Sequence, residues 1–304
     1  MNTYRVKKRK EKTAAVGKDV GKAAGRAPDR NSARRTEALF LRIMVYCAAA
    51  LSASVIFIII AYILITGVPH LSPELFAARY NRENVSMLPA IINTVVMTAL
   101  SLAIAVPLGV FSAVYLTEYA RRGSRLVALV RITAETLSGI PSIVYGLFGF
   151  LMFAVYFGWG YSILGGALTL AVMILPLVMR TTEEALMSVP DSYREGSFGL
   201  GAGRLRTVFR VVLPSAAPGV LAGVVLGTGR IVGETAALIY TAGTAAGVPG
   251  NILKSGRTLA VHMYALYSEG LYMDQASATA VVLLAVTALI NFLSAVIAHK
   301  LINR

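Results

Sequence analysis

The chain is organised around long apolar runs separated by shorter polar segments. A helix of about 20 apolar residues is long enough to cross the hydrocarbon core of a bilayer. Six stretches meet this requirement: residues 40–66, 89–117, 132–157, 161–179, 214–242 and 276–298. Backbone groups inside lipid must be hydrogen-bonded within the protein, which favours helices. The pattern predicts an all-α polytopic membrane protein, with six transmembrane helices in a domain of residues 39–304.

The placement of lysine and arginine predicts how these helices are oriented, because segments facing the cytoplasm are enriched in both residues. With both termini cytoplasmic, the internal segments hold 24 of the 29 Lys and Arg residues and the external segments hold 4. The remaining one, Arg230, lies inside the fifth stretch. We therefore predict a multi-pass protein whose N- and C-termini are both cytoplasmic.

Residues 1–38 are a basic segment before the first apolar run. They hold twelve Lys or Arg against four Asp or Glu, a large part of the net charge of +14. Their apolar content is too low for independent folding, so we predict a disordered cytoplasmic tail that contacts membrane lipid rather than nucleic acid. Cys47 is the single cysteine, which excludes an internal disulfide and a cysteine metal site.

One polar segment, residues 180–213, differs from the others in length and pattern. Proline is favourable in the first turn of a helix, so a short helix is predicted to begin at Pro190. A glycine-rich turn follows, and four apolar residues then recur at helical spacing: Leu205, Val208, Phe209 and Val212. We predict a second, amphipathic helix outside the bilayer that ends before Pro214. An ordinary surface loop is the alternative.

Arg230 places a charge within an apolar stretch, which costs at least about 2.5–3.5 kcal/mol on insertion scales. Glu234 lies one helical turn further on, so the two side chains can pair. Either the pair only stabilises helix packing, or Arg230 is a binding site along a pathway for an anion. Gly219, Gly223 and Gly227 recur every fourth residue and predict the close approach of another helix.

A second charged pair is predicted at the cytoplasmic end of the fourth stretch. Arg180 and Glu183 are spaced to share a helical face, and Arg131 and Glu135 repeat the arrangement near the third stretch. Taken alone, both predict interfacial pairs whose arginine reaches towards the headgroups. Because an arginine also offers two parallel donors to a phosphate, a role toward an anion stays open.

Motifs of catalysis are missing from the sequence. It contains no G-x-x-x-x-G-K-[ST] nucleotide loop, no H-E-x-x-H metal site and no serine in a nucleophile elbow. The histidines, His70, His262 and His299, are scattered. We therefore expect a chain that is not itself an enzyme and uses no metal and no cofactor.

Residues 195–214, EGSFGLGAGRLRTVFRVVLP, resemble the cytoplasmic EAA signature of ABC-importer permeases. Four residues stand at the spacing of that signature: Glu195, Gly201, Leu213 and Pro214. The resemblance implies the type I ABC importer permease fold. It also implies that residues 190–213 are a coupling element, which docks in a cleft of a separate ATPase subunit.

Other segments are similar to the PstA-type permease of the phosphate ABC importer. They are AVYLTEYA (113–120), SGIPSIVYGLFGF (138–150), LPLVMRTTEEAL (175–186) and GRIVGETAALIYTAG (229–243). The likeness extends from about residue 89 to 298, and Ala237 departs from it because this family often has proline there. It implies that Arg180, Glu183 and Arg230 take part in transport.

The leading hypothesis is a permease that imports inorganic phosphate across a bacterial or archaeal inner membrane by alternating access. The resemblance implies a PstC-type second permease, a PstB-type ATPase dimer and a PstS-type phosphate-binding protein as partners. Arg230 would bind the anion, and Glu234 would keep that binding weak enough for release. Alternatives are a sulfate or molybdate permease, a membrane scaffold, and a carrier not driven by ATP. A carrier would be expected to have internal repeats and discontinuous helices, and the sequence indicates neither.

Overall fold

A computed structural model describes residues 30–121 and 123–302, with side chains for 38–121, 123–293 and Val296. Throughout these residues the regular elements are helices, which confirms the predicted all-α fold. The predicted tail lies outside the described residues as far as residue 29, and the first helix begins at Arg30.

The chain divides into two units, residues 1–62 and 63–304. In the described part of the first unit the backbone is one helix, α1, which spans Arg30–Gly67 and so continues into the second unit. Its large apolar side chains, such as Phe40 and Phe57, are exposed. A helix that is apolar on all sides is typical of a membrane span surrounded by lipid.

The described residues of the second unit contain ten further α-helices, α2 to α11 in chain order. They span Leu88–Val114, Arg125–Ser138, Ser142–Gly149, Ile163–Met187, Asp191–Gly199, Arg204–Thr207, Leu213–Val232, Ala236–Thr241, Leu259–Glu269 and Met273–Ile302. Three π-helical segments adjoin them: Tyr115–Tyr119 after α2, Phe150–Tyr156 after α4, and Val208–Val212 between α7 and α8.

Within the described residues, five helices are long and apolar enough to cross a membrane. They are Ala38–His70, Leu88–Tyr119, Ile163–Met187, Arg204–Val232 and Met273–Leu293. Arg125–Ser138 and Ser142–Tyr156 make a sixth span if they are counted together, although they are bent by 102°. The prediction of six spans therefore holds with the bent pair counted as one, but the third stretch is not an uninterrupted helix.

The break between α3 and α4 falls at residues 139–141. Proline has no N–H, and its ring clashes with the carbonyl group four residues earlier in a helix, which for Pro141 is that of Leu137. The Tyr145 hydroxyl donates a 2.7 Å hydrogen bond to the Leu137 carbonyl oxygen. The same oxygen accepts a 3.1 Å hydrogen bond from the Ile140 N–H, so the next helix adds a second bond at this break.

The fifth predicted span is interrupted as well, because residues 214–242 form α8 and α9 with a break at residues 233–235. The Glu234 carboxylate accepts a 3.1 Å hydrogen bond from the Ala237 N–H, one of the donors that a helix leaves unsatisfied in its first turn. The expectation that the chain has no discontinuous helices is therefore wrong.

At the other end of α8, the helix predicted to end before Pro214 continues through it. α7, Val208–Val212 and α8 form one helix of 29 residues, Arg204–Val232. Pro214 lies in the first turn of α8, directly after the π-helical turn. Because that turn already departs from the regular α-helical hydrogen bonding, the missing N–H of Pro214 does not end the helix.

α5 is the most buried span of the second unit and packs against α2 and α8. A Cβ atom at Gly219 would lie 2.6 Å from the Ala185 Cβ, and one at Gly223 would lie 2.8 Å from the Thr181 Cβ. The predicted close approach of a helix is therefore confirmed at these two glycines, and that helix is α5. At Gly227 the nearest atoms are 3.8 Å away, an ordinary contact.

Candidate functional site

Arg230 lies in the last turn of α8, immediately before the break at residues 233–235. Its side chain is half-buried, and the ion pairs of the described residues do not include it. The predicted pairing with Glu234 is wrong, because α8 ends at Val232 and the i, i+4 geometry is lost beyond that residue. Glu234 is instead buried and caps α9 through the Ala237 N–H. No carboxylate of the described residues therefore neutralises the Arg230 guanidinium.

Two polar side chains that sequence reasoning missed lie beside the end of α8. The Tyr145 hydroxyl is within range of the Arg230 charge, and the Asn291 Oδ1 lies 3.5 Å from the position of a Cβ atom at Gly229, the residue before Arg230. This Oδ1 is buried and has no hydrogen-bond partner. Asn291 carried a signal as a single amide in an apolar stretch, since polar groups in membrane spans are often functional. Tyr145 could have been noticed because it lies four residues after Pro141, a residue that can break a helix and leave backbone carbonyl groups in need of hydrogen-bond donors.

The two interrupted helices cross beside this group. A Cβ atom at Gly146 of α4 would lie 2.7 Å from the Ala237 Cα of α9, and one at Gly149 would lie 2.9 Å from the Thr241 Cγ2. Glycine removes the side-chain bulk that would otherwise hold the two backbones apart. This contact brings the elements that carry Tyr145 and Glu234 together.

The charged residues near the end of α5 form a second group. Arg180 pairs with Glu184 at 3.1 Å, and the Arg131 Nε donates a 2.7 Å hydrogen bond to the Glu183 Oε1. The expected pairs Arg180–Glu183 and Arg131–Glu135 are therefore wrong. Glu183 is buried and faces α3, whereas Arg180 and Glu184 are exposed. These residues line a pocket of about 250 Å³.

The two charged groups do not form one site. Thr181, next to Arg180, packs against Gly223, and Gly223 lies seven residues before Arg230 on α8. Seven residues of α-helix span about 10 Å. Arg180 and Arg230 are therefore separated by about 10 Å along the helix axis, and Glu183 belongs with Arg180 rather than with Arg230.

The predicted coupling element, residues 190–213, has the expected helix, turn and helix. α6 begins directly after Pro190. The turn contains Gly201 at φ +80°, the left-handed region that favours glycine. Of the signature residues, Glu195, Gly201 and Pro214 are exposed and Leu213 is half-buried.

The apolar side chains of this element do not share one face as predicted. Val208 and Val212 are buried, whereas Leu205 and Phe209 are 65% and 41% exposed. The π-helical turn changes the number of residues per turn, so the spacing of a regular α-helix does not apply across it. Leu200, in the turn, is 91% exposed. Exposed apolar residues grouped in this way are typical of a surface that contacts another protein.

In the described part of the chain, no group of three or more His, Cys, Asp or Glu side chains could hold a metal ion. Arg230 itself supplies several hydrogen-bond donors and one positive charge, and such a group can bind an anion.

Comparison with protein families gives a match over two thirds of the chain. The family described as "Binding-protein-dependent transport system inner membrane component" matches residues 105–304. The "Probable ABC transporter permease protein YqgI" of Bacillus subtilis is 36% identical over 241 residues, which cover 74% of this chain and 82% of that protein.

Relatives named for phosphate transport match a shorter part of the chain. "Phosphate transport system permease protein PstA" of Pasteurella multocida is 39% identical over 190 residues, covering 60% of this chain and 66% of that protein. PstA 2 of Mycobacterium tuberculosis is 41% identical over 154 residues, covering 51% and 50%. The match thus spans about half the length of the mycobacterial relative.

Solved structures of ABC transporters share the fold. The chain superimposes on a chain of a bacterial alginate ABC transporter with a TM-score of 0.64 at 16% identity, covering 86% of this chain and 96% of that one. For the MetNI methionine ABC transporter in an inward facing conformation, the TM-score is 0.54 at 23% identity, with coverage of 71% and 94%. At such identities the likeness shows the fold alone, which is that of type I ABC importer permeases.

Proposed function

The chain belongs to the family of binding-protein-dependent transport system inner membrane components, and from this premise we propose that it is the permease subunit of an ATP-driven importer of inorganic phosphate. The names of the PstA relatives support phosphate as the substrate. The observation that carries the proposal is the guanidinium of Arg230, which has no ion-pair partner among the described residues and lies beside two interrupted helices. A planar guanidinium offers parallel N–H donors that match two phosphate oxygens.

The position of Arg230 explains how binding stays reversible. No carboxylate competes for its donors in the described residues, so an anion finds a free positive charge. Glu234 does not pair with Arg230, because its carboxylate accepts the Ala237 N–H. Transport requires binding that is strong enough to capture the ion and weak enough to release it, and a single half-buried guanidinium would bind the ion without enclosing it.

The continuous helix Arg204–Val232 links the proposed coupling element to the proposed anion site. Its 29 residues extend about 40 Å at the rise of an α-helix. Movement of its coupling end would move Arg230 at the other end, alternating access to the anion. Arg180 and Glu183 lie near the end of α5 that precedes the proposed coupling element. They would form a second charged binding site about 10 Å from Arg230 along the helix axis.

The partners follow from the same assignment. We infer a PstB-type ATPase dimer that hydrolyses ATP, a PstC-type second permease, and a PstS-type binding protein that delivers phosphate. The exposed side chains of Leu200, Leu205 and Phe209 would contact the ATPase, beside Glu195 and Gly201. Both termini would then be cytoplasmic, with the protein in a bacterial or archaeal inner membrane.

Uptake by the complex reconstituted in liposomes tests this proposal. We expect radiolabelled phosphate to accumulate only when ATP is supplied on the ATPase side, and excess unlabelled sulfate or molybdate to leave that uptake unchanged. If sulfate or molybdate is itself accumulated and phosphate is not, the chain is a permease for another oxyanion. If phosphate accumulates without ATP, it is a carrier, and if no ATPase co-purifies and no anion moves, it is a scaffold.

A further inference from the structure

Arg194 of α6 makes the densest set of side-chain hydrogen bonds among the described residues. Its Nη2 and Nε donate to the Glu118 Oε1 at 2.7 and 3.1 Å. Its Nη2 also donates to the Leu186 carbonyl oxygen at 2.9 Å, and its Nη1 donates to that of Val189 at 2.8 Å. The Asp191 carboxylate accepts a further bond at 3.2 Å. The side chains of Arg194 and Glu118 are only 16% and 8% exposed.

These bonds join three separate elements. Glu118 lies in Tyr115–Tyr119, the π-helical end of the span that begins with α2. Leu186 lies in the last turn of α5, where carbonyl groups have no partner within the helix. Arg194 lies in the middle of α6, the first helix of the proposed coupling element. A single guanidinium therefore connects the coupling element to two membrane spans.

α6 has little else to hold it against the rest of the unit. None of its residues is buried, so burial of apolar side chains contributes little to its position. The Ser197 hydroxyl hydrogen-bonds to the Thr207 hydroxyl at 2.8 Å, which ties α6 to α7 rather than to α2 or α5. α6 is joined to α5 by residues 188–190 of the backbone, and the Arg204 guanidinium of α7 lies 5.3 Å from the centre of the Tyr119 ring. Among the described residues, the bonds from Arg194 to Glu118 are the hydrogen bonds that join α6 itself to the span beginning with α2.

We propose that the Arg194–Glu118 pair is the link that transmits movement of α6 to the span beginning with α2 during transport. Both are positioning residues, since neither lies near Arg230. The inference rests on the proposed coupling role of residues 190–213, and it is independent of which anion is carried. It predicts that a complex in which the pair is broken still folds and still hydrolyses ATP, but transports less anion for each ATP hydrolysed.

The test compares Arg194→Ala, Arg194→Lys and Glu118→Gln in the complete reconstituted complex. Loss of a hydrogen bond to a charged group typically changes an equilibrium by roughly tenfold or more, so we expect anion uptake per ATP hydrolysed to fall about tenfold in Arg194→Ala and Glu118→Gln. Arg194→Lys keeps a positive charge opposite Glu118 but loses the planar set of guanidinium donors. Its ratio of anion uptake to ATP hydrolysis should therefore be intermediate. Ser192→Ala is the matched control, because Ser192 is an exposed residue of the same helix whose side chain makes none of these bonds, and its ratio should equal the wild type.

A distance measurement between spin labels on α6 and at the end of the α2 span tests the link independently of phosphate transport. Cys47 is the single cysteine, so a Cys47→Ser background accepts spin labels at the exposed positions Ser192 and Arg121. With Arg194 intact, the label distance should be the same in the nucleotide-free and ATP-bound complexes. With Arg194→Lys, which keeps the buried charge paired, the distance should broaden or shift on ATP binding. Wild-type uptake ratios together with an unchanged distance in the variants would overturn the link, whereas failure of the wild type to move phosphate would overturn only the proposed substrate.

Discussion

Three glycines on one face of α8 provide a graded test of its packing against α5. An alanine Cβ would lie 2.6 Å from the Ala185 Cβ at Gly219 and 2.8 Å from the Thr181 Cβ at Gly223, but 3.8 Å from its nearest neighbours at Gly227. Carbon atoms pack best at about 3.5–4.0 Å. The same substitution is therefore a clash at two positions and a favourable contact at the third.

The expected energies follow from two opposing effects. Alanine is favoured over glycine by about 1 kcal/mol within a helix, and this gain is common to all three sites. Overpacking costs about 1–3 kcal/mol and applies at Gly219 and Gly223 only. Gly227→Ala should therefore stabilise the protein by up to about 1 kcal/mol, whereas Gly223→Ala and Gly219→Ala should be neutral to destabilising by about 2 kcal/mol.

Thermal unfolding of the purified protein in detergent or nanodiscs measures this difference. A gap of about 1–3 kcal/mol corresponds to a difference in Tm of roughly 2–10 °C between Gly227→Ala and Gly223→Ala. Gly227 is the control for the other two because it lies on the same helix and undergoes the same exchange. Equal Tm values for all three variants would refute the packing of α8 on α5 described above.

Two further predictions concern buried polar groups. Glu234→Gln keeps an oxygen for the Ala237 N–H and should leave Tm unchanged, whereas Glu234→Ala should lower the stability by about 1 kcal/mol, the usual effect of losing a cap; equal Tm values for the two variants would contradict the capping role. The pKa of His262 is lowered to about 3 by burial and by the nearby Arg257 charge, against about 6.5 when unfolded. Between these values the unfolded chain binds a proton that the folded chain does not, so stability falls as the pH falls below about 6.5, by about 2 kcal/mol at pH 5. His262→Gln should flatten the decline in Tm between pH 7 and 5, and parallel profiles would contradict the assignment.

The apolar spans were predictable because their signal is long and local, whereas the helix breaks were not. Pro107, Pro176 and Pro218 lie inside intact helices, and Pro141 lies at a break. Composition does not distinguish these cases, because each proline is surrounded by apolar residues. At the break, Gly139 precedes Pro141, and the Leu137 carbonyl accepts hydrogen bonds from the Ile140 N–H and from the Tyr145 hydroxyl of the following helix. The second of these bonds depends on three-dimensional contact.

The ion pairs were mispredicted for a related reason. Spacing along one helix indicates which charges can meet, but it carries no information on the neighbouring helix. Glu183 is three residues from Arg180, yet it pairs with Arg131 of α3. Glu118 gave no signal of its partner Arg194, which is 76 residues away in sequence. By contrast, the glycine spacing at 219 and 223 correctly predicted a close helix contact. Small residues that recur on one face of a membrane helix allow another helix to approach it closely, whichever helix that is.

The most direct measurement of the central claim is phosphate uptake by complexes that carry Arg230→Ala or Arg230→Lys. Hydrogen bonds to charged groups contribute about 1.5–3 kcal/mol, so Arg230→Ala should lower the rate of uptake at limiting phosphate by at least about tenfold. Arg230→Lys should recover part of that loss, because the charge remains without the planar fork. Exposed Arg82 provides the control, and Arg82→Ala should transport as the wild type does. Wild-type uptake by an assembled Arg230→Ala complex would contradict a direct contact between this guanidinium and the anion.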